Sequence, residues 1–397
     1  MPEGVGPREG GNDRSLEKAA RRNVKEDQRR SKEARRTREK EKKEKGAKRD
    51  RTKPPRTVHE NFAALVTSCR RALVPVTEPV VLICQAQRSG GTLLRNLFDG
   101  HPQCHVHPGE WHIGHTRRYL WPKLKPDQPP ETWWVRLREE VLERRFQTGI
   151  PVDPSKYRGE DASRREGTYP FLLPPLLHRA LFLGAIADIR KYREIEGDRD
   201  ILNAYLTGLF NAWLDNHTLR SSEKRWAVAF APRLAWDERR EQFFEAYPDG
   251  RLISILRDPY SWMASARGRQ IKDAENSERL LTLWTKSTRE MIAAKRDRAD
   301  QVTVLRFEDL VRSPDDVMRG LADALGIDFA DSMVEPTFNS RPIGANSSFA
   351  FATEGVVVDP LKSHGNRFDE HQRRLISEAC DELYQTASDV AQASVSA

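Results

Sequence analysis

Pro79–Leu94 reads PVVLICQAQRSGGTLL, and this stretch decides the fold. Its first part, Pro79–Cys84, is a short continuous apolar run rich in β-branched residues. That pattern predicts a strand buried on both faces, as in a parallel sheet. The run then turns through Gly90 and Gly91 into a predicted helix at Thr92–Phe98. A strand that turns through glycines into a helix aims several backbone N–H groups at one point. The helix dipole adds partial positive charge there, and the glycines let a ligand approach the backbone closely. Gln87–Leu94 is therefore expected to cradle a phosphate-like anion. It is not a Walker A loop, because the opening glycine and the Gly-Lys-Ser/Thr ending of GxxxxGK[ST] are absent. The missing Lys argues against an ordinary ATPase or GTPase, and Arg88 enters the loop instead.

Outward from this stretch, the strand theme recurs at Trp226–Phe230 (WAVAF), Arg251–Leu256 (RLISIL) and Val302–Leu305 (VTVL). Helices are expected between and after them, at Ile201–His217, Ser277–Arg298, Pro314–Leu325 and Phe368–Thr386. Ser313 is the expected N-cap of the third, with Pro314 at its first position. Thr57–Val74 carries Phe62, Leu65, Val66, Cys69 and Leu73 at helical spacing. Strands alternating with helices predict an α/β fold: a P-loop-type central parallel sheet flanked by helices on both faces. Residues of about 111–170 break the alternation and are expected to be a helical insertion, with one helix at Glu131–Phe146 and a loop at Pro151–Thr168. In open α/β folds such insertions sit over the carboxyl ends of the strands, where ligands bind. Trp111, Trp121, Trp133 and Trp134 fit two readings, an aromatic acceptor platform or plain core packing.

The chain has 67 Lys+Arg against 59 Asp+Glu, and the excess is unevenly placed. Met1–Arg56 holds 21 basic and 11 acidic residues, which leaves 46 basic and 48 acidic in the rest. Val5, Leu16 and Val24 are the large aliphatic residues of that segment, too few to offset its ordering entropy. A disordered or fluctuating helical tail over 1–56 is expected, ahead of one α/β domain over 57–397. The tail is either a solvated extension or an arm for acidic partners. The balanced charge of the domain weakens a nucleic-acid-binding reading. Cys69, Cys84, Cys104 and Cys380 form no CxxC pair, and no disulfide framework is expected. The N-terminus lacks an apolar signal region and no window nears 18 uninterrupted apolar residues. The expectation is a cytoplasmic protein with no transmembrane segment.

A second segment carries chemistry. In RLISILRDPYSWMASAR (Arg251–Arg267) the strand ends at Leu256, and Arg257-Asp258-Pro259 follows at its carboxyl end. Pro259 can start a helix that places Ser265 about two turns on. Arg257, by its planar fork, and Ser265, by its hydroxyl, could jointly grip a second phosphate. Five histidines fall within His101–His115: His101, His105, His107, His112 and His115. None of their spacings matches HExxH or another zinc pattern, so no metal is expected.

Together these segments resemble the sulfotransferases that use 3′-phosphoadenosine 5′-phosphosulfate (PAPS), in particular the bacterial and tyrosylprotein branches. VTVLRFEDLVRSPDDVMRGLADALG (Val302–Gly326) adds the strand, Arg-x-Glu-Asp-Leu turn and helix that commonly follow in that family. The resemblance covers Pro79–Gly109 and Trp226–Gly326. It implies that Arg88, Ser89, Gly90, Gly91, Thr92 and Leu93 match the loop holding the 5′-phosphosulfate. It also implies that Arg257 and Ser265 match the 3′-phosphate pair. Glu110, in HPGEW, matches the acidic residue thought to be the general base in the tyrosylprotein branch, with His107 or His112 as alternatives. The cytosolic branch has a Lys-x-His motif where this chain reads Ala229-Phe230-Ala231-Pro232, a departure that removes one candidate base. Lys362–Arg367 is similar to the family's late basic loop over the cofactor. The reaction implied is in-line sulfuryl transfer to a hydroxyl or amine of a carbohydrate or small molecule. Glu110 would take the acceptor proton, and Arg88 and the loop amides would stabilise developing charge without an obligatory metal. Two rivals stay open at this point: another nucleotide-dependent transferase such as a kinase, and a catalytically degenerate sulfotransferase fold acting as an interaction module.

Overall fold

The computed structural model describes residues 32–33, 35–40, 57–113, 120–152, 167–267, 277–344 and 368–395. The chain divides into two compact units, Met1–Leu65 and Val66–Ala397. In the first unit, 32–33 and 35–40 are helical and exposed. Helix α1 (Val58–Arg71) starts there with a reciprocal cap: Thr57 Oγ1 accepts from Glu60 N at 3.2 Å, and Thr57 N donates to Glu60 Oε2 at 2.7 Å. The sheet and the candidate site belong to the second unit.

Strand β1 (Val80–Ile83) runs through the middle of a five-stranded parallel sheet. All four of its residues are 0% exposed, and alternate ones point to opposite faces, so both faces are covered. Helix α2 (Gly91–Phe98) follows, then β2 (Cys104–Glu110), α3 (Pro130–Leu137), α4 (Glu140–Thr148), α5 (Pro175–Arg190) and α6 (Asp198–Ala212). The chain returns through β3 (Trp226–Phe230), α7 (Glu238–Ala246), β4 (Arg251–Leu256), α8 (Pro259–Arg267), α9 (Ser277–Asp297) and β5 (Val302–Arg306). It continues as α10 (Phe307–Arg312), α11 (Pro314–Leu325) and α12 (Glu370–Val395). Strand order is β2-β3-β1-β4-β5. On one face Val81, Ile83, Val106, Val228, Ile253, Ile255 and Leu305 pack against Leu94, Leu97 and Phe98 of α2 and Val317, Met318 and Leu321 of α11.

This order creates a switch point. From β1 the chain leaves toward β2, whereas from β4 it leaves toward β5 on the other side. The loops after β1 and β4 therefore diverge, opening a crevice at the carboxyl edge between two adjacent strands. The expected α/β architecture holds, and four of the strands sit where the apolar runs place them.

Several local expectations need correction. Cys104–Glu110 is a fifth strand, although its sequence CHVHPGE has no run of apolar residues. It pairs with β3 from Cys104 opposite Trp226 to Val106 opposite Val228, then jumps to Glu110 opposite Phe230. Pro108 has no N–H to give the ladder, and the strand bulges there. The single helix expected at Glu131–Phe146 is two, α3 and α4, because Arg138 and Glu139 take extended backbone between them. Ser313 occupies the N-cap position of α11, but its side chain makes no capping bond; Pro314 alone starts the helix. Trp111, Trp121, Trp133 and Trp134 are 2%, 7%, 0% and 8% exposed, so they mainly pack the interior, although Trp121 also lines a pocket with Leu124, Lys125 and Asp198.

Candidate functional site

The loop after β1 is built for close approach. Gly90, with φ +105°, is the N-cap of α2 and makes no side-chain cap. A Cβ at Gly90 would meet the Phe307 ring at 2.5 Å, and one at Gly91 would meet Phe230 at 2.3 Å. Both positions need glycine for packing, and Gly90 needs it for conformation as well. Leu94 N reaches back to Gly90 O at 3.0 Å, and the first-turn amides stay directed out of the helix. Ser89 is buried, and Leu93 packs its side chain on the core, leaving only its backbone to the loop.

Arg88 has φ +72°, the left-handed region that a non-glycine residue enters only when the surroundings hold it there. Its surroundings are specific. Arg257 Nη1 donates to Arg88 O at 2.7 Å, and Arg88 Nε donates to Ser265 Oγ at 3.2 Å. Trp262 Nε1 donates to the neighbouring Gln87 O at 2.8 Å, and Ser287 Oγ accepts from Ala86 N at 2.9 Å. The turned carbonyl of Arg88 is thus the joint between the β1 loop and the β4 loop. Three residues read from two separate segments of the sequence, Arg88 in one and Arg257 and Ser265 in the other, meet in the switch-point crevice.

Arg257 is 6% exposed. Its guanidinium lies over the Phe307 ring, 4.2 Å from the centroid, and its Nε has no hydrogen-bond partner among the described residues. Burial lowers its pKa to about 10, so it stays charged at neutral pH. Trp284 Nε1 donates to its carbonyl at 3.0 Å. Behind it, Glu308 Oε1 accepts from Asp258 N at 2.9 Å, and burial pushes the Glu308 carboxyl up. Ser265 is 1% exposed on α8, on the side turned to Arg88.

Glu110 ends β2 at the same carboxyl edge, two strands from β1, with its side chain 35% exposed. Its Oε2 lies 3.0 Å from His112 Nε2. Beneath this pair sits a carboxylate absent from the sequence-based candidates. Glu139, at the break between α3 and α4, has a side chain 0% exposed. Its Oε1 contacts His107 Nε2 at 3.0 Å and accepts from Tyr205 OH at 2.8 Å; its Oε2 accepts from His112 N at 2.7 Å. Burial opposes its ionisation, but His107 and the His112 amide overcome that and hold its pKa below the usual carboxylate value. Arg145, half-buried, donates to Pro108 O at 2.7 Å and braces the bulge before Glu110.

The histidine group disperses. His101 contacts Asp328 O, His105 stacks on Phe210 with centroids 4.9 Å apart, His107 faces Glu139 and His112 faces Glu110. Burial lowers the pKa of His105 to about 3. Among the described residues no group of three or more His, Cys, Asp or Glu is arranged to hold a metal ion. His115 and Lys362–Arg367 lie outside the described residues. Among those described, no helix is long and apolar enough to cross a membrane.

The family model described as the sulfotransferase family matches residues 79–331, which include the loops after β1 and β4 and Glu110. The chain belongs to the sulfotransferase family. Among solved structures it is similar to the sulfotransferase domain of the Synechococcus PCC 7002 olefin synthase, at 18% identity and TM-score 0.43, covering 79% of this chain and 96% of that one. It is also similar to the sulfotransferase domain from the curacin biosynthetic pathway, at 17% identity and TM-score 0.41, covering 76% and 97%. Retinol dehydratase in a complex with retinol and PAP is a third, at 13% identity and TM-score 0.32, covering 78% and 82%. No curated protein sequence matches the chain.

Proposed function

We propose that the protein transfers a sulfuryl group from PAPS to a hydroxyl or amine of a carbohydrate or small-molecule acceptor. The observation that carries this reading is the junction of Arg88 with both Arg257, at 2.7 Å, and Ser265, at 3.2 Å. It brings a helix N-terminus and a second cationic site together, which suits a nucleotide carrying phosphates at both its 5′ and 3′ positions. The residues present fit such a ligand. The first turn of α2 has no side-chain cap, and Arg257 Nε is a buried donor without a partner among the described residues.

PAPS, when bound, supplies an activated sulfuryl group whose departure leaves adenosine 3′,5′-bisphosphate. The chain's own residues do the rest. Backbone amides of Ser89–Leu93 and the Arg88 guanidinium hold the 5′ end and spread the charge that builds on the leaving oxygen. Arg257 and Ser265 hold the 3′-phosphate and so fix the register of the nucleotide. Glu110 accepts the proton of the acceptor hydroxyl or amine, and His112 fixes the orientation of its carboxylate. No Lys or His stands at Ala229–Pro232 to share that task.

The test is transfer of radiolabelled sulfuryl from PAPS across a panel of carbohydrates and small hydroxyl or amine compounds. Incorporation that disappears in Glu110→Gln is the expected result. Turnover of ATP with no incorporation from PAPS would replace this reading with a kinase-like one.

A further inference from the structure

The loop after β1 opens with Gln85, whose side chain plays no part in the site described so far. Gln85 is 1% exposed, and among the described residues neither its amide nitrogen nor its amide oxygen meets a hydrogen-bonding group. Its backbone carbonyl is satisfied, since Gln85 O accepts from Arg233 N at 3.2 Å. A buried amide with no partner is costly, and such a group in a native fold calls for an explanation.

Its position supplies one. A Cβ built on Gly91 would lie 2.4 Å from Gln85 Nε2. The amide therefore fills the volume that a side chain at position 91 would enter. If Gly90 and Thr92 are aligned with the Gly and Ser/Thr of GxxxxGK[ST], position 91 is that of the Lys that reaches the phosphates. Here the Lys is missing, and a buried polar group from the start of the same loop stands where it would begin. Two independent features thus coincide: the uncapped N-terminus of α2 and an orphaned, nine-tenths-buried side chain pressed against its first residue.

We infer that Gln85 Nε2 donates a hydrogen bond to the anionic group held at the N-terminus of α2, making Gln85 a further ligand-binding residue at the 5′ end of the nucleotide. This rests on the nucleotide reading proposed above. A neutral amide suits the place. The helix N-terminus and Arg88 already supply positive charge, and an ammonium buried this deeply would tend to lose its proton. The amide adds direction without a charge that burial would remove.

The test uses the full chain and Gln85→Met, which roughly keeps length and volume but cannot donate a hydrogen bond. Each protein is titrated with 5′-AMP, 3′-AMP and adenosine 3′,5′-bisphosphate, and each is melted without ligand. Gln85→Met should lose about tenfold to a hundredfold in affinity for 5′-AMP and the bisphosphate, the loss of one hydrogen bond to a charged group. Its affinity for 3′-AMP should be unchanged, and its ligand-free melting temperature should be equal or higher. Gln85→Leu should repeat the pattern. An equal loss for 3′-AMP and 5′-AMP, or no loss for 5′-AMP, would overturn the inference. A lower ligand-free melting temperature, or failure to fold, would overturn it too by giving the amide a structural partner. If the unmodified chain bound none of the three nucleotides, the nucleotide reading itself would fall, and that arm is read before any variant.

Discussion

At the scale of single residues, the account turns on Arg257 and Glu110. Arg257 is buried, remains charged, and keeps one N–H without a partner. Arg257→Ala should weaken adenosine 3′,5′-bisphosphate binding by roughly 1.5–3 kcal/mol, about ten- to a hundredfold in Kd, and weaken 5′-AMP clearly less, through the lost bond to Arg88 O alone. Equal losses, read by calorimetry, would remove the 3′-phosphate assignment. Glu110→Gln should slow transfer by about a hundredfold or more at unchanged bisphosphate affinity, as expected when a general base is lost. A normal rate would remove Glu110 as the base. Arg88, Arg257 and Ser265 were legible in the sequence because each follows a recognisable strand or helix start. Glu139 was not. Its partners lie 27 to 66 residues away, so nothing near it in the chain marks it as buried. It reads as one more carboxylate in a charged segment. Gln85 was hidden differently: its significance is the lack of a partner, which only the fold reveals.

At the scale of elements, the insertion is tied to the sheet by Glu139. This carboxylate takes hydrogen bonds from α6 and from the segment after β2, and faces His107 of β2 itself. Replacing it by Leu should destabilise the fold by about 3–5 kcal/mol, since His107 and Tyr205 lose a buried partner. Urea unfolding at pH 7 checks this. The pH dependence follows from the sign of the shift. The folded pKa lies below the ordinary 4.5, so the contribution is complete above that pH and is lost as pH falls through the folded value. Unfolding of Glu139→Gln should therefore be less sensitive to acid over that range; equal slopes would contradict the charged state. Strands β1, β3, β4 and β5 were legible because parallel strands buried on both faces are apolar without interruption. Strand β2 was not, because its face toward α6 carries His105 and His107, and Pro108-Gly109 suggest a loop. Helix α5 was also missed. Its apolar residues lie all round, so it shows no amphipathic stripe, and Leu177, Leu181, Phe182 and Ile186 are all buried.

At the scale of the whole molecule, the sequence separates a basic segment from a charge-balanced one. If nucleotide binding belongs to the α/β unit alone, deleting Met1–Arg56 should leave bisphosphate affinity unchanged while removing the excess positive charge, which cation-exchange retention at pH 7 would register. A large loss of affinity would show that the segment takes part in the site. The remaining question is whether the switch-point crevice is a 3′,5′-bisphosphate site at all. The measurement that asks this most directly is calorimetric titration of the full chain with adenosine 3′,5′-bisphosphate, set beside ATP with magnesium. The account predicts tight binding of the bisphosphate that survives chelation of metal, with ATP-magnesium much weaker. Preference for ATP-magnesium, or binding of neither, would contradict it.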